Sequence, residues 1–161
     1  MYDLALKLKE VAAKENAPLI INDRLDVALA VNAHAVHLGR RSIPLERAAP
    51  LCRSKGILFG FSCHSLEEAE EAERQGAAYL YLGTIFPSPS KPDTAAKGLD
   101  FLKLVCHRVK IPVLAIGGVN TTNVDDLVSA GAYGAAAISA IWEAQDIAKT
   151  LEGMNRPFRT K

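Results

Sequence analysis

The chain has 161 residues, of which 49% are hydrophobic and 23% are charged, a composition typical of one ordinary globular domain. Its formal net charge of +1 excludes the strongly basic balance of many nucleic-acid-binding proteins, and no run of ~18 apolar residues indicates a membrane span. The three cysteines are widely spaced and form no CxxC pair, which argues against a disulfide framework or a zinc site and predicts a cytoplasmic protein.

Apolar runs alternate with amphipathic segments along the chain. After an opening helix over 2–16, six short, continuous apolar runs predict parallel strands that are covered on both faces; they are 18–22, 35–39, 57–62, 79–86, 112–118 and 134–139. Helical patterns lie at 24–33, 44–55, 65–76, 98–109, 122–131 and 142–152. In the third of these, Ser65 and Glu68 form a capping-box pattern. We predict one α/β domain over residues 1–152 and a loose tail over 153–161.

Repeated βα units fold as a doubly wound open sheet or as a (β/α)8 barrel. Short repeats with polar residues at the strand ends favour the barrel, although only six of its eight strands are present. In both folds, ligands bind at the carboxyl ends of the strands. The polar residues at those ends are Asn22, Asp23, Ser62, His64, Thr84 and Ser139.

The loop after the fourth predicted strand has the composition of a phosphate site. Ser88, Ser90 and Lys91 offer two hydroxyls and one cation within four residues, and three neighbouring prolines lower the cost of ordering the loop. Gly118 after the fifth strand and Ser139 after the sixth would add backbone N–H groups, as in barrels that bind phosphate after their last strands. These residues predict a phosphate or diphosphate ligand; the alternative is a solvated surface loop.

Four segments resemble the thiamin phosphate synthase/TenI superfamily: "LIINDRLDVALAVNAHAVHLG", "FSCHSLEEAEEAERQGAAYLYLGTIFPSPSKPD", "IPVLAIGGV" and "GAYGAAAISAI". The resemblance implies a TIM barrel, here incomplete with about six parallel strands. It also implies a ligand that carries a thiazole phosphate or a pyrimidine diphosphate. The implied phosphate contacts are Ser88, Ser90, Lys91, Gly118, Ile138 and Ser139. Asn22, Ser62 and Thr84 are further candidates for substrate binding.

The segment "HLGRRSIP" bears on which branch of the superfamily the chain resembles. The synthases of this superfamily use Mg²⁺ to join the pyrimidine diphosphate to the thiazole phosphate. They typically carry Gln-Glu/Asp-Asp after HxG, and the last Asp holds the metal. Here those places are Arg40, Arg41 and Ser42. Because Mg²⁺ prefers anionic oxygen, we predict a TenI-like thiazole tautomerase that needs no cofactor. The alternative is a synthase-like transferase with Mg²⁺ at Asp23, a residue that could instead pair with Arg24 or cap the next helix.

The tautomerase interpretation also requires a side chain that moves the proton. The catalytic histidine of the TenI branch falls at Thr84, and a threonine is not a base near neutral pH. His64 is the substitute candidate, since an imidazole can move a proton at pH 7; otherwise it is a helix-entry or core histidine. We predict that His37 and Cys63 are structural. The missing base leaves a third interpretation, a non-catalytic or regulatory protein that binds a phosphate ligand.

The resemblance starts in what would be the second helix of the family. The first two βα units, with their Gln-x-Arg-x-Lys motif, have no counterpart in the sequence, and open strand edges favour association. We therefore expect a homodimer that covers the open side. The expected small-molecule partner is a phosphate ester such as the thiazole phosphate, with no nucleic acid and no membrane.

Overall fold

A computed structural model describes residues 1–88 and 92–159. These residues form two compact units, one of Met1–Ser62 with Glu71–Tyr79, the other of Cys63–Glu70 with the chain from Leu80 onward. The strands are β1 (Ile20–Asn22), β2 (Ala35–Leu38), β3 (Leu58–Cys63), β4 (Tyr79–Leu82), β5 (Val113–Ile116) and β6 (Gly134–Ala136). The helices are α1 (Tyr2–Lys14), α2 (Leu25–Ala30), α3 (Leu45–Lys55), α4 (Leu66–Arg74), α5 (Gly98–Arg108), α6 (Val124–Ser129), α7 (Ser139–Trp142), α8 (Ile147–Asn155) and a 3₁₀ helix (Arg156–Phe158).

In the first unit, β1 pairs with β2 and β2 pairs with β3, both in parallel. The register places His37 opposite Asn22 on one side and opposite Gly60 on the other. All four residues of β2 are buried, as expected for a parallel strand covered on both faces. The register therefore brings the polar ends of the first three strands to one edge.

In the second unit, β4, β5 and β6 pair in parallel and in chain order. Leu80 and Leu82 of β4 are fully buried, as are Leu102 of α5 and Leu127 of α6. Large side chains removed completely from water give most of the hydrophobic stabilisation of such a core. The core thus fixes the ends of these strands, where the loops of the predicted phosphate site begin. The α/β class with six parallel strands is confirmed.

Several predicted elements have other boundaries, and two of these differences have a clear cause in the structure. The apolar run 79–86 is a strand only to Leu82; beyond it, the Ile85 N–H still donates to the Ile116 carbonyl at 3.0 Å, in a loop. The predicted helix over 142–152 is two helices, because the Asp146 carboxylate accepts the Lys149 N–H and caps a new helix. That helix continues past residue 152, and Met154 is buried, within the segment expected to be a loose tail. The division into one domain and a tail stays a prediction.

Across residues 1–88 and 92–159, no helix combines the length and the apolar character needed to cross a membrane.

Candidate functional site

A hydrogen-bonded acidic corner lies where β1 and β2 end in the first unit. Asp23 is exposed and has a φ of 61°, and its N–H donates to the His37 carbonyl at 2.8 Å. The Ser42 hydroxyl donates to Asp23 Oδ1 and accepts the Gly39 N–H at 2.8 Å. Asn22 donates to the other carboxylate oxygen at 3.0 Å. Two side-chain donors therefore fix the orientation of this carboxylate.

The structural alternatives for Asp23 are wrong. Arg24 pairs with Asp26 through two hydrogen bonds of 2.8 and 2.5 Å. That bond to Arg24 is the main cause that lowers the pKa of Asp26 to about 2. The N-cap residue of α2 is Arg24, and α2 has no side-chain cap. Asp23 is thus neither the partner of Arg24 nor a helix cap, and a metal-binding role stays open for it.

The groups around Asp23 suit a magnesium ion only if phosphate oxygens of a bound substrate complete its coordination shell. Within the described ranges, no three His, Cys, Asp or Glu residues are grouped so that they could hold a metal ion. Mg²⁺ in phosphate-transfer sites is commonly held by one or two carboxylates, with substrate phosphates and water completing its octahedron. The single oriented carboxylate of Asp23 meets that lower requirement. Arg40 and Arg41 are exposed in the same β2–α3 loop.

Three polar side chains meet inside the first unit. His37 is only 6% exposed. Its Nε2 lies 2.8 Å from the Ser62 hydroxyl and its Nδ1 lies 3.1 Å from the Tyr79 hydroxyl. Burial lowers the pKa of His37 to about 4, although the Asp23 carboxylate opposes this shift. The imidazole is therefore neutral at pH 7, as befits the structural role predicted for it, and it touches the predicted substrate residue Ser62.

His64 and Cys63 begin the second unit. The Glu68 N–H donates to the Ser65 hydroxyl at 3.2 Å, so Ser65 caps α4 as the pattern predicts. The Glu68 carboxylate accepts the N–H of His64, the residue before that cap, at 2.6 Å. The buried Nδ1 of His64 has no hydrogen-bond partner among the described residues. Burial, with Glu68 nearby, raises the pKa of Cys63 to about 12, and Cys63 is buried as predicted. His64 helps to start α4, and a catalytic role for it stays a prediction.

The loops after β4 and β5 lie against each other in the second unit. The Phe86 N–H donates to the Gly117 carbonyl at 3.0 Å. Gly118 has a φ of 67°, and a Cβ there would lie 2.4 Å from the Pro87 carbonyl oxygen. Thr84 is buried, and its methyl group would lie 2.5 Å from a Cβ on Gly117. Close backbone approach thus requires both glycines, and it fixes the start of the loop that carries Ser88.

The remaining predicted phosphate contacts follow β4 and β6 in the chain. Ser88 is half-buried, and Ser90 and Lys91 lie outside the described residues. Ile138 is exposed and immediately precedes Ser139, the first residue of the short helix α7. The predicted strand over 134–139 thus ends at Ala136, and a short helical turn begins at Ser139. Phosphate binding by this set stays a prediction.

Sequence reasoning missed two residues in these places. Asn123 donates to the Gly118 carbonyl at 2.9 Å and accepts the Asn120 N–H at 2.9 Å, so it supports the glycine turn. The spacing Asn120-x-x-Asn123 just after two glycines is the turn signal that could have indicated it. Tyr79 was assigned only to a buried strand, and no local pattern indicates that its hydroxyl meets His37.

Comparisons with known proteins identify relatives over most of the chain. The family model described as thiamine monophosphate synthase (TMP-TENI) matches residues 1–141. A thiamine-phosphate synthase of Clostridium acetobutylicum is 47% identical over 146 residues, which are 91% of this chain and 69% of that protein. A solved thiamine phosphate pyrophosphorylase of Pyrococcus furiosus is 38% identical, with a TM-score of 0.90, over 99% of this chain and 76% of that one. A 3-hexulose-6-phosphate synthase, 16% identical with a TM-score of 0.76 over 97% of this chain and 80% of that one, shares the barrel-like fold alone.

These relatives contradict the prediction of a TenI-like tautomerase. Relatives that are 38–47% identical to this chain carry the name of the synthase, which is the alternative given above. The prediction failed because it weighed one substituted loop, Arg40–Ser42, above the rest of the sequence. It also took a second carboxylate as necessary, whereas a phosphate ligand can complete the shell of Mg²⁺. On this family match and these identities, the chain belongs to the thiamine monophosphate synthase (TMP-TENI) family.

Proposed function

We propose that the protein is a transferase that joins a pyrimidine diphosphate to a thiazole phosphate with release of diphosphate. The observation that carries the proposal is 47% identity to a thiamine-phosphate synthase over 91% of this chain. We infer the reaction and its phosphorylated small-molecule substrates from the names of these relatives. The polar residues at the strand ends of this chain are of types that bind phosphate groups. A cytoplasmic location remains part of the proposal.

The second unit contributes groups that suit a phosphate. Gly118 has no side chain, so a phosphate can approach its backbone closely. We assign Ser88, Ser90 and Lys91 as hydroxyl and ammonium donors, because hydrogen bonds in which one partner is charged are about twice as strong as neutral ones. Backbone N–H groups at Ile138 and Ser139, and the hydroxyl of Thr84, complete the assigned set.

The first unit contributes the groups that suit a diphosphate and its metal. Asp23 would hold Mg²⁺ through its oriented carboxylate, with diphosphate oxygens as the other ligands. When bound there, the ion would supply positive charge that stabilises the departing diphosphate. Asn22 and Ser62 present an amide and a hydroxyl at the same strand ends. We assign both to substrate binding.

The test is direct synthesis of thiamin phosphate. The protein is incubated with both substrates, with and without Mg²⁺, and the product is detected by oxidation to its fluorescent thiochrome derivative. We expect product only with Mg²⁺, because Mg²⁺ at Asp23 would balance the charge of the departing diphosphate. Among the described residues, no group of three His, Cys, Asp or Glu side chains could hold another metal ion in its place. Product formation no faster than without protein would overturn the proposal. Binding of the thiazole phosphate without turnover would identify a non-catalytic protein instead.

Matched variants test the assigned residues. Lys91→Ala removes the assigned cation, and Lys97→Ala removes the lysine six positions further along the chain, which lies 5.2 Å from the Phe101 ring. Asp23→Asn removes the assigned metal ligand, and Asp26→Asn removes the carboxylate that pairs with Arg24. We expect losses of more than about tenfold in kcat/KM for the first of each pair, since bonds to charged groups contribute about 1.5–3 kcal/mol. Equal losses within a pair would refute the assignment.

The homodimer also remains a proposal. In α1, the apolar residues Leu4, Leu8 and Val11 follow helical spacing on one face, and they are 59%, 47% and 58% exposed. Such a contiguous apolar stripe favours association, and a second copy of this chain could cover it. Sedimentation velocity should then show a dimer that Leu8→Lys dissociates. A wild-type monomer at all concentrations would contradict this proposal without touching the catalytic one.

A further inference from the structure

Tyr79, His37 and Ser62 form a continuous polar chain through the first unit. They come from β4, β2 and β3, and the two hydrogen bonds that join them measure 3.1 and 2.8 Å. The Tyr79 ring also stacks on the imidazole, with 5.6 Å between centroids and 26° between planes. Three strands therefore converge on one buried imidazole. One of its two partners, Ser62, is already assigned to substrate binding.

We propose that Tyr79 and His37 are positioning residues that hold the Ser62 hydroxyl as a hydrogen-bond donor toward an anionic oxygen of the substrate. This inference rests on the proposed function, because the phosphate oxygens of the ligand decide which of two hydrogen-bond directions applies; the tautomer of His37 can be measured without any activity.

The direction follows from what each group can donate. A neutral imidazole has one N–H donor and one acceptor nitrogen, so two orders are consistent with the distances. If Nδ1 carries the proton, Nε2 accepts the Ser62 O–H, and Ser62 has no proton left for a ligand. If Nε2 carries the proton, it donates to Ser62, Tyr79 donates to Nδ1, and the Ser62 O–H is available. Ionised phosphate oxygens only accept hydrogen bonds, so phosphate binding requires the second order.

The packing around Tyr79 supports a fixed chain. A Cβ on Gly60 would lie 2.1 Å from Cζ of the Tyr79 ring, so the ring occupies the space that any other residue would fill. Gly60 pairs with His37 in the β2–β3 register and lies on the same face of β3 as Ser62, two residues further on. The glycine thus allows the ring to reach the imidazole, and β3 presents Ser62 on that side.

The first experiment reads the tautomer of His37 directly. In ¹⁵N-histidine-labelled protein at pH 7, long-range ¹H–¹⁵N correlations distinguish an imidazole protonated at Nε2 from one protonated at Nδ1, and His37→Gln assigns the signals. We expect the Nε2–H tautomer in the wild type and a loss of this preference in Tyr79→Phe. An Nδ1–H tautomer in the wild type would overturn the proposal. This outcome does not depend on any enzyme activity.

The second experiment asks whether Tyr79 acts through Ser62. Tyr79→Phe should raise KM for the pyrimidine diphosphate roughly two- to tenfold, the usual effect of one neutral hydrogen bond, while KM for the thiazole phosphate changes less. Tyr81→Phe serves as a matched hydroxyl deletion in the same strand. In a Ser62→Ala background, Tyr79→Phe should have no further effect. Equal effects in both backgrounds would show a purely structural role and refute the proposal.

The two experiments separate the possible failures. A wild type without synthase activity would refute the proposed function, and the tautomer would still decide whether Tyr79 and His37 orient Ser62.

Discussion

Gly118→Ala tests the close approach of the β4 and β5 loops. The residue has a φ of 67°, and its new Cβ would lie 2.4 Å from the Pro87 carbonyl oxygen and 2.8 Å from Phe86 Cβ. The left-handed conformation costs a non-glycine residue about 1–2 kcal/mol, and overpacking against backbone adds about 1–3 kcal/mol. We therefore expect the free energy of unfolding, measured by urea denaturation, to fall by about 2–5 kcal/mol.

Gly56→Ala is the matched control. Gly56 has nearly the same φ, 65°, and a Cβ there would have nothing within 4 Å, so this variant should lose only the conformational part, about 1–2 kcal/mol. Because Gly118→Ala displaces the backbone that leads to Ser88, it should also weaken binding of the thiazole phosphate in calorimetric titration, and Gly56→Ala should not. Equal destabilisation by the two variants, with unchanged binding, would refute the role given to the close approach.

Three further predictions concern charge and protonation. Ser42→Asp should tighten Mg²⁺ binding in calorimetry by placing a second carboxylate beside Asp23, and the same charge change at exposed Ser54 should not; no gain would argue against a metal at Asp23. Since the pKa of His37 falls from 6.5 to about 4 on folding, the unfolded chain binds more protons between these values. Stability should therefore decline by about 3 kcal/mol as the pH falls from 6.5 to 4, at roughly 1.4 kcal/mol per pH unit. His37→Gln should lose less in urea titrations, and an equal decline would contradict the assignment. Because the pKa of Cys63 is raised to about 12, its thiol should resist iodoacetamide at pH 8 until urea unfolds the protein; labelling of the folded protein at the unfolded rate would disprove its burial.

The sequence was sufficient for the order and type of the six strands and of helices α1 to α6, because continuous apolar runs and capping residues are local signals. It was not sufficient for the end of β4. The apolar run continues to Phe86, but Ile85 and Phe86 pair with the β5 loop rather than extending a strand. That contact joins residues more than thirty positions apart, so no local pattern contains it. The break between α7 and α8 was readable in principle, since Asp146 is a typical N-cap residue.

The polar contacts of the site were harder to predict for the same reason. Ser42 and Asp23 are 19 residues apart, and His37 and Tyr79 are 42 apart. Their meeting depends on strand register, which a single sequence does not specify. The sequence could therefore indicate which residues lie at strand ends, but not which of them hold each other in place.

The contact between Ser42 and Asp23 also explains why the substituted loop could not distinguish the reactions. Ser42 replaces a carboxylate of the family pattern, yet its hydroxyl donates to Asp23 and keeps that carboxylate oriented. Relative to the family pattern, the loop therefore loses two negative charges, at positions 41 and 42, and gains two arginines, Arg40 and Arg41, which are exposed. Fewer carboxylates repel a diphosphate less, and guanidinium groups suit its oxygens. Under the proposed function, the substitution would change which groups balance the charge of the diphosphate without removing the carboxylate assigned to its metal ion.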